Sequence, residues 1–390
     1  MKSRQICEGV QWMGAVDWNR RLFDALIPLP DGTSYNAYFV QGSEKSVLLD
    51  AVDPTMEDIL ASQLAQVERL DYVICQHAEQ DHSGTLPFVL QKYNQARVIC
   101  TPKALGLLVD HLGIAADRII TVVDGETMDL GSKTLRFIHM PWVHWPETMV
   151  TQLPEDQLLF TCDLFGSHIA TSELYAGKDP YVREAAKRYY AEIMMPFRKP
   201  IQGYLRRLRQ FEFGCIAPSH GPLYDHPDWI LSAYEDWASD RVANQVVIPY
   251  ISMHGSTERL VHYLTAALVE RGIQVQEFEL TTTDVGKLAM ALVDAATIVI
   301  GTPTVHQGAH PNVFSATHLV NALRPKLRYA AIIGSYGWST KVEEQLSALI
   351  SNLKIDMLGT VLCKGMPGAE AFSALETLAD TIYKKHTMLC

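Results

Sequence analysis

The sequence predicts two successive units: a layered α+β sandwich with antiparallel strands, followed by an α/β doubly wound parallel sheet. Three observations predict it. The 390 residues exceed what one core usually organises. Short apolar runs in the first half are spaced without a strict strand–helix alternation. From about Val246 strand-like and helix-like stretches alternate regularly to the end.

In the first half the strand candidates are Ser46 to Val52, Asp71 to Gln76, Ala96 to Thr101, Thr134 to Met140, Gln157 to Cys162 and Phe213 to Ala217. The second half offers Val246–Ile251, Ile273–Glu279, Thr297–Gly301, Tyr329–Gly334 and Met357–Leu362. Each is followed by a helical stretch, the last from about Ala369 to Lys385, and five strands in that rhythm make a parallel sheet. The helix after the fourth strand opens with Thr340-Lys341-Val342-Glu343, which predicts a capping box. The polar stretch Asp236 to Gln245 is the expected boundary, dividing residues 1–245 from 246–390. No internal repeat or low-complexity segment interrupts this scheme.

Composition narrows the class. Hydrophobic residues make up 48% and charged residues 20%, ordinary for a globular enzyme. A net charge of −11 argues against nucleic acid as a main partner, because phosphate binding needs clustered Lys and Arg. No apolar run approaches the roughly 20 residues of a bilayer span, and the N-terminus lacks the apolar core of a signal peptide. A cytoplasmic protein without a membrane partner is expected. The seven cysteines (Cys7, Cys75, Cys100, Cys162, Cys215, Cys363, Cys390) are odd in number and form no Cys-x-x-Cys pair, which excludes a disulfide framework or a Cys-rich metal module. Cys75, Cys100 and Cys215 sit in apolar strands and read as small buried hydrophobes.

The strongest chemical signal is His77-Ala78-Glu79-Gln80-Asp81-His82, directly after the strand ending in Cys75-Gln76. Four potential ligands within six residues are costly to crowd together without a cation, and imidazole with carboxylate suits iron, zinc or manganese. Three later residues hold the same topological position: His144 after the strand ending near Met140, Asp163 closing the strand to Cys162, and His220 after Phe213–Ala217. A single His or Asp at a strand end is more often a turn or capping residue. A compact cluster with three spaced partners at strand ends is a metal site. Trp142, Trp145 and His168 flank ligand segments and either wall the pocket or pack; His111, His139 and His226 are read as ordinary surface or core histidines.

The run His77, Glu79, Asp81, His82, then His144, Asp163 and His220, resembles the ligand set of flavodiiron proteins (A-type flavoproteins) of the metallo-β-lactamase superfamily. The match holds in type and order at all seven positions. The resemblance spans essentially the whole chain, since that family follows its metal domain with a flavodoxin-like domain. It implies a metallo-β-lactamase-like αββα sandwich over 1–245 and a flavodoxin-like FMN-binding domain over 246–390. Superfamily hydrolases carry His where this chain has Glu79, an exchange of a neutral nitrogen for a hard anionic oxygen. Carried over by residue, the resemblance implies two Fe ions: one held by His77, Glu79 and His144, the other by Asp81, His82 and His220, with Asp163 bridging. Each iron then keeps positions open for a diatomic substrate.

Three loops at strand ends of the second half suit a flavin. Ser252-Met253-His254-Gly255-Ser256-Thr257 precedes a helix, and its hydroxyls and backbone N–H groups suit a phosphate. Thr302-Pro303-Thr304-Val305-His306-Gln307-Gly308 and Ser335-Tyr336-Gly337-Trp338 follow two further strands, and ligands of doubly wound sheets lie beyond such ends. Taken singly, such turns are common connectors. Together they resemble the phosphate loop and the two isoalloxazine loops of flavodoxins, with Trp338 as the aromatic flank and His254 a departure from the usual hydroxyl-rich loop. No Gly-x-Gly-x-x-Gly or P-loop supports a nicotinamide or triphosphate site.

The resemblance implies O2 reduction to water, NO reduction to N2O, or both, at a diiron site fed by FMN. With no Cys-x-x-Cys pair for a fused rubredoxin, electrons are expected from separate rubredoxin or a reduced deazaflavin. The family also implies a head-to-tail homodimer or a dimer of dimers. The competing readings are a zinc hydrolase fused to a flavodoxin-like domain, against which Glu79 argues, a plain electron carrier, and a gas sensor.

Overall fold

Alternation along the strands sorts the first half into layers. In the computed structural model, residues 1–389 are described, so Cys390 lies outside the described residues. The chain folds into two compact units, one of Met1–Tyr190 and Phe197–Ala238, the other of Ala191–Pro196 and the residues from Ser239 onward.

The first unit holds two large sheets and a two-stranded ribbon, Leu22–Phe23 with Ile27–Pro28. One has seven strands in the order Arg4–Cys7, Val10–Asp17, Thr33–Gln41, Ser46–Leu49, Tyr72–Ile74, Arg97–Cys100 and Ile119–Thr121. Its first four strands pair antiparallel and the rest parallel. The other has five, Thr127–Asp129, Thr134–His139, Met149–Leu153, Leu158–Cys162 and Cys215–Pro218. Period-two burial assigns the faces. Val47, Leu49, Ile74 and Ile99 join Phe137, Leu158 and Phe160 of the second sheet in a core between the sheets. Leu48, Val73 and Val98 point the other way, onto Leu60, Leu64, Val89 and Leu108 of flanking helices. Helices outside and sheets inside make an αββα sandwich.

Strands exceed those expected. Val10–Asp17, Thr33–Gln41 and Met149–Leu153 were not foreseen, because polar residues, buried in the last two, interrupt their apolar pattern. Asn36 shows why they are tolerated: it accepts from Trp12 Nε1 at 2.9 Å and donates to the Pro218 and Gly221 carbonyls at 2.8 and 2.7 Å. Its hydrogen bonds to protein replace those it loses to water and offset the cost of burial.

The second unit is a parallel sheet in the order Gln274–Glu279, Ala243–Tyr250, Ala295–Val305, Tyr329–Tyr336 and Asp356–Lys364. Helices Ser256–Glu270 and Ala369–His386 cover one face; Val285–Leu292, Pro311–Leu323 and Val342–Leu349 cover the other. That is a doubly wound sheet with a switch point between the Ala243 and Ala295 strands.

Several local expectations need correction. Helix Pro227–Ala238 and strand Ala243–Tyr250 leave only residues 239–242 as connection, because Trp237 and Ala238 are still buried on the helix. Pro303, Thr304 and Val305 continue the Ala295 strand, which pairs back with Gly308-Ala309 through a hairpin. His306 and Gln307 make its turn at φ of 48° and 69°, the left-handed pair that suits strand twist. Ser335 and Tyr336 likewise end a strand. The capping box does not form as drawn: Thr340 Oγ1 accepts from Val342 N–H at 3.2 Å, one residue short of Glu343.

Among the described residues no helix is long and apolar enough to cross a membrane.

Candidate functional site

The ends of four strands in the first unit bring seven side chains together. His77 follows Tyr72–Ile74, and its loop is held by buried Asp50, which accepts from Gln76 N–H and Gln76 Nε2 at 2.8 Å each. Glu79 caps the short helix Gln80–Ser83, which carries Asp81 and His82. His144 lies in the turn after Thr134–His139, pinned by Trp142 N–H to the Trp145 carbonyl at 2.7 Å. Asp163 follows Leu158–Cys162. His220 follows Cys215–Pro218, and Ser219 N–H ties that end to the Cys162 carbonyl at 2.8 Å.

The ligating atoms fall into two sets that share Asp163. Glu79 Oε2 is 3.1 Å from both His77 Nε2 and His144 Nε2, and Asp163 Oδ2 is 3.4 Å from each. On the other side, Asp163 Oδ1 is 2.9 Å from His82 Nε2 and 3.3 Å from His220 Nε2. Asp81 closes that set, 3.3 Å from His82 Nε2 and 3.1 Å from His220 Nε2. One carboxylate thus turns one oxygen to each trio. Atoms within His77, Glu79, His144 and Asp163, and within Asp81, His82 and His220, lie within 4.8 Å of one another.

The chemistry of this donor set fits a pair of cations. Both oxygens of Asp81 and of Asp163 are buried without a hydrogen-bond partner, close to imidazole nitrogens but not aligned with them. A buried carboxylate in that condition is costly unless a positive charge offsets it. Burial opposes the charge on His77, His82 and His144, yet their carboxylate neighbours push all three up to about 10. Burial likewise opposes ionisation of Glu79, but hydrogen bonds from His144 and His77 hold it well below the usual carboxylate range. For Asp163 burial is outweighed by the His82 charge and by the His144 and His220 rings beside it, which hold it well below the usual carboxylate range.

Neighbours sort differently. Trp145 sets its ring edge-on to His77, centroids 5.0 Å apart, and walls the site. Trp142 is half exposed. His168 packs 4.8 Å from the His220 ring, meets Thr33 Oγ1 at 2.9 Å through Nδ1, and leaves a buried Nε2 without a hydrogen-bond partner. Burial and the adjacent His220 keep it well below its ordinary pKa. His111, read as ordinary, lines a 540 Å³ cavity with Asp24, Glu79, Asp81 and Trp145. His139 and His226 line other cavities.

Sequence reading missed Glu147, buried with Oε1 2.7 Å from His77 Nδ1, and Ser34, whose carbonyl is 2.7 Å from His220 Nδ1. It also missed Asp24, raised to about 6 by burial and by the charges of Glu79 and Asp81. Glu147 stands three residues after His144, and an acid so near a ligand was the one available signal. Ser34 acts through its backbone and had none.

In the second unit the three predicted loops lie at the carboxyl ends of adjacent strands. Gly255 takes φ +82° before helix Ser256–Glu270, and no side chain caps that helix. Only Glu258 N–H is met, by Ser252 Oγ at 3.2 Å, so the first turn is free for an anion. Thr257 and Ser335 hydroxyls meet at 3.2 Å, and Thr304 donates to Thr340 at 2.9 Å, which draws the loops together. Trp338 is 82% and Met253 52% exposed, two large apolar side chains open at the ligand end of the sheet. Anion-ready backbone beside an exposed indole fits a phosphorylated planar ring.

Known proteins share this architecture. Residues 33–221 match the family described as ODP family beta lactamase. A nitric oxide reductase of Moorella thermoacetica is 34% identical over 365 residues, 90% of each chain. The rubredoxin oxygen:oxidoreductase structure from Desulfovibrio gigas superposes with a TM-score of 0.95 at 28% identity, covering 99% of this chain and 98% of that one. The flavodiiron protein of Giardia intestinalis gives 0.93 at 27%, covering 100% and 98%.

Proposed function

This chain belongs to the flavodiiron (A-type flavoprotein) family, and from that premise we propose that it reduces O2 to water, NO to N2O, or both, at a non-haem diiron site fed by FMN. The observation that carries the reading is Asp163, whose two buried, orphaned oxygens face separate sets of imidazole and carboxylate donors. His77, Glu79 and His144 would hold one iron, Asp81, His82 and His220 the other, with Asp163 between them. The loop Ser252–Thr257 would take the FMN phosphate, and Pro303–Gly308 with Ser335–Trp338 the ring. When bound, the iron pair and the flavin supply two electrons each, enough for four-electron O2 reduction or for coupling two NO.

The chain's own residues set the conditions. Burial of His77, His82, Asp163 and His220 excludes bulk water from the set, while Glu79 and His144 keep a partly open side. Trp145 closes one wall. Glu79 supplies a hard anionic oxygen where a hydrolase would place imidazole, which suits a metal that changes oxidation state. The donor is proposed to be rubredoxin, as the name of the Desulfovibrio gigas relative suggests, or a reduced deazaflavin. A cytoplasmic location and a head-to-tail homodimer or dimer of dimers complete the proposal.

Anaerobic turnover with reduced rubredoxin and each gas in turn, on protein assayed for iron and flavin, tests it. Asp163→Ala and His82→Ala are expected to abolish both activities while flavin stays bound. Full rates in both variants would overturn the site, and two zinc ions per active chain would favour a hydrolase.

A further inference from the structure

We propose that Glu147 is a positioning residue, which fixes the tautomer and ring orientation of His77 and makes one of the two metal positions the tighter. The inference rests on the ligand sets proposed above and adds a member that touches neither metal nor substrate.

Glu147 is 2% exposed. Its Oε1 lies 2.7 Å from His77 Nδ1 and accepts from Ala78 N–H at 3.0 Å, so it grips both the ring and the backbone of the ligand loop. Its own carbonyl accepts from Thr101 Oγ1 at 2.8 Å, which anchors the grip to the end of the neighbouring strand. A carboxylate only accepts, so the His77 proton belongs on Nδ1. Nε2, 3.1 Å from Glu79 Oε2 and 3.4 Å from Asp163 Oδ2, is then the nitrogen that gives up its proton when a metal binds. A ligand histidine backed this way is oriented and made more basic.

The second set has no matching anion. His220 Nδ1 meets the neutral Ser34 carbonyl at 2.7 Å, and His82 Nδ1 is buried without a hydrogen-bond partner. Among the described residues, the Nδ1 hydrogen bonds of the four ligand rings thus include one carboxylate, and it stands behind His77. The asymmetry is built into the protein before any metal arrives.

The test uses full-length metal-free protein titrated anaerobically with ⁵⁷Fe(II), with affinities from chelator competition and the two irons separated by Mössbauer spectroscopy. Glu147→Gln keeps the size and an acceptor oxygen but removes the charge; Glu147→Ala removes both. Natural-sequence protein should bind two irons. The expected result is one iron weakened on the order of 10-fold in Glu147→Gln and about 100-fold in Glu147→Ala. Only one quadrupole doublet should move, with the melting temperature of the Gln variant unchanged. Failure of the unaltered chain to bind two irons overturns the ligand sets themselves. Two irons in that chain, with both doublets and affinities unchanged in the variants, overturns the role of Glu147 alone. Both doublets moving together with a lowered melting temperature marks a merely structural residue and also overturns it. Should Glu147→Ala fail to fold, Glu147→Gln decides.

Discussion

Gly221 offers a direct way to weigh the geometry behind His220. It sits at φ +79°, and a Cβ built there would lie 2.0 Å from Ser167 Oγ and 2.8 Å from the Ser167 carbonyl. Its N–H donates to Ser34 Oγ at 2.7 Å and its carbonyl accepts from Asn36 Nδ2 at 2.7 Å. Gly221→Ala therefore adds about 1–2 kcal/mol of left-handed strain. Relieving the clash moves the loop and weakens two buried hydrogen bonds, each worth about 1 kcal/mol. The sum is roughly 3–4 kcal/mol, which for a unit of this size lowers the melting temperature by about 10 °C. Because His220 is the preceding residue, iron content should fall with it. Thermal unfolding followed by circular dichroism, with iron assayed on the same sample, reads both effects. Pairing the change with Ser167→Gly should relieve the clash with the hydroxyl but neither the 2.8 Å contact with the Ser167 carbonyl nor the dihedral strain. A Gly221→Ala protein melting within about 2 °C of the parent and holding full iron would refute the reasoning.

Three further outcomes are expected. Phe137→Ala, in the core between the sheets, should cost about 3–5 kcal/mol in urea unfolding, and a loss below about 1 would mean that the core closes around the gap. His386 is buried between Thr297 Oγ1 at 2.7 Å and Asn244 Oδ1 at 2.8 Å, and burial pushes it down to about 4. The unfolded chain takes that proton near pH 6.5, so stability of the second unit is full above that pH and falls as pH drops toward 4. After solvent screening the loss is roughly 1–2 kcal/mol, and His386→Asn should flatten the melting-temperature profile across that window. Finally, His77, His82 and His144 sit at about 10 and His220 at about 9 without metal, whereas ligation needs neutral rings. Metal loading near neutral pH should release up to four protons per chain, seen by calorimetry as a heat that varies with buffer ionisation enthalpy; a buffer-independent heat would contradict it.

What sequence could reveal followed the range of the chemistry. The His77–His82 run was legible because four potential ligands crowd one turn, and His144, Asp163 and His220 because strand ends converge whatever lies between. The parallel sheet was legible because its central strands carry continuous apolar runs, as for Ile298, Val299 and Ile300. Strand Thr33–Gln41 was not, since its Asn36 and Ser34 are buried for partners near residues 218 to 221, about 180 positions away. Glu147 escaped for the same reason: its meaning lies in His77, 70 residues earlier. The turn at His306-Gln307 was hidden because two ordinary residues adopt a conformation that glycine usually signals.

The strained backbone of the first unit argues that the ligand geometry is imposed rather than incidental. Asp50, Trp142, Cys162 and Phe165 all take positive φ, between 50° and 71°, though none is glycine. Asp50 holds the residue before His77; Trp142, Cys162 and Phe165 stand within two positions of His144 or Asp163. Each costs about 1–2 kcal/mol, and such outliers persist only where surrounding structure over-determines them. Buried carboxylates without hydrogen-bond donors add a second cost at the same place. A fold selected for stability alone would relax the turns and replace Asp81 and Asp163 by apolar residues of similar volume. Retaining both costs at one cluster makes sense if bound cations return the energy. The metal-free chain is then the strained state, and metal binding should raise the melting temperature of the first unit more than that of the second.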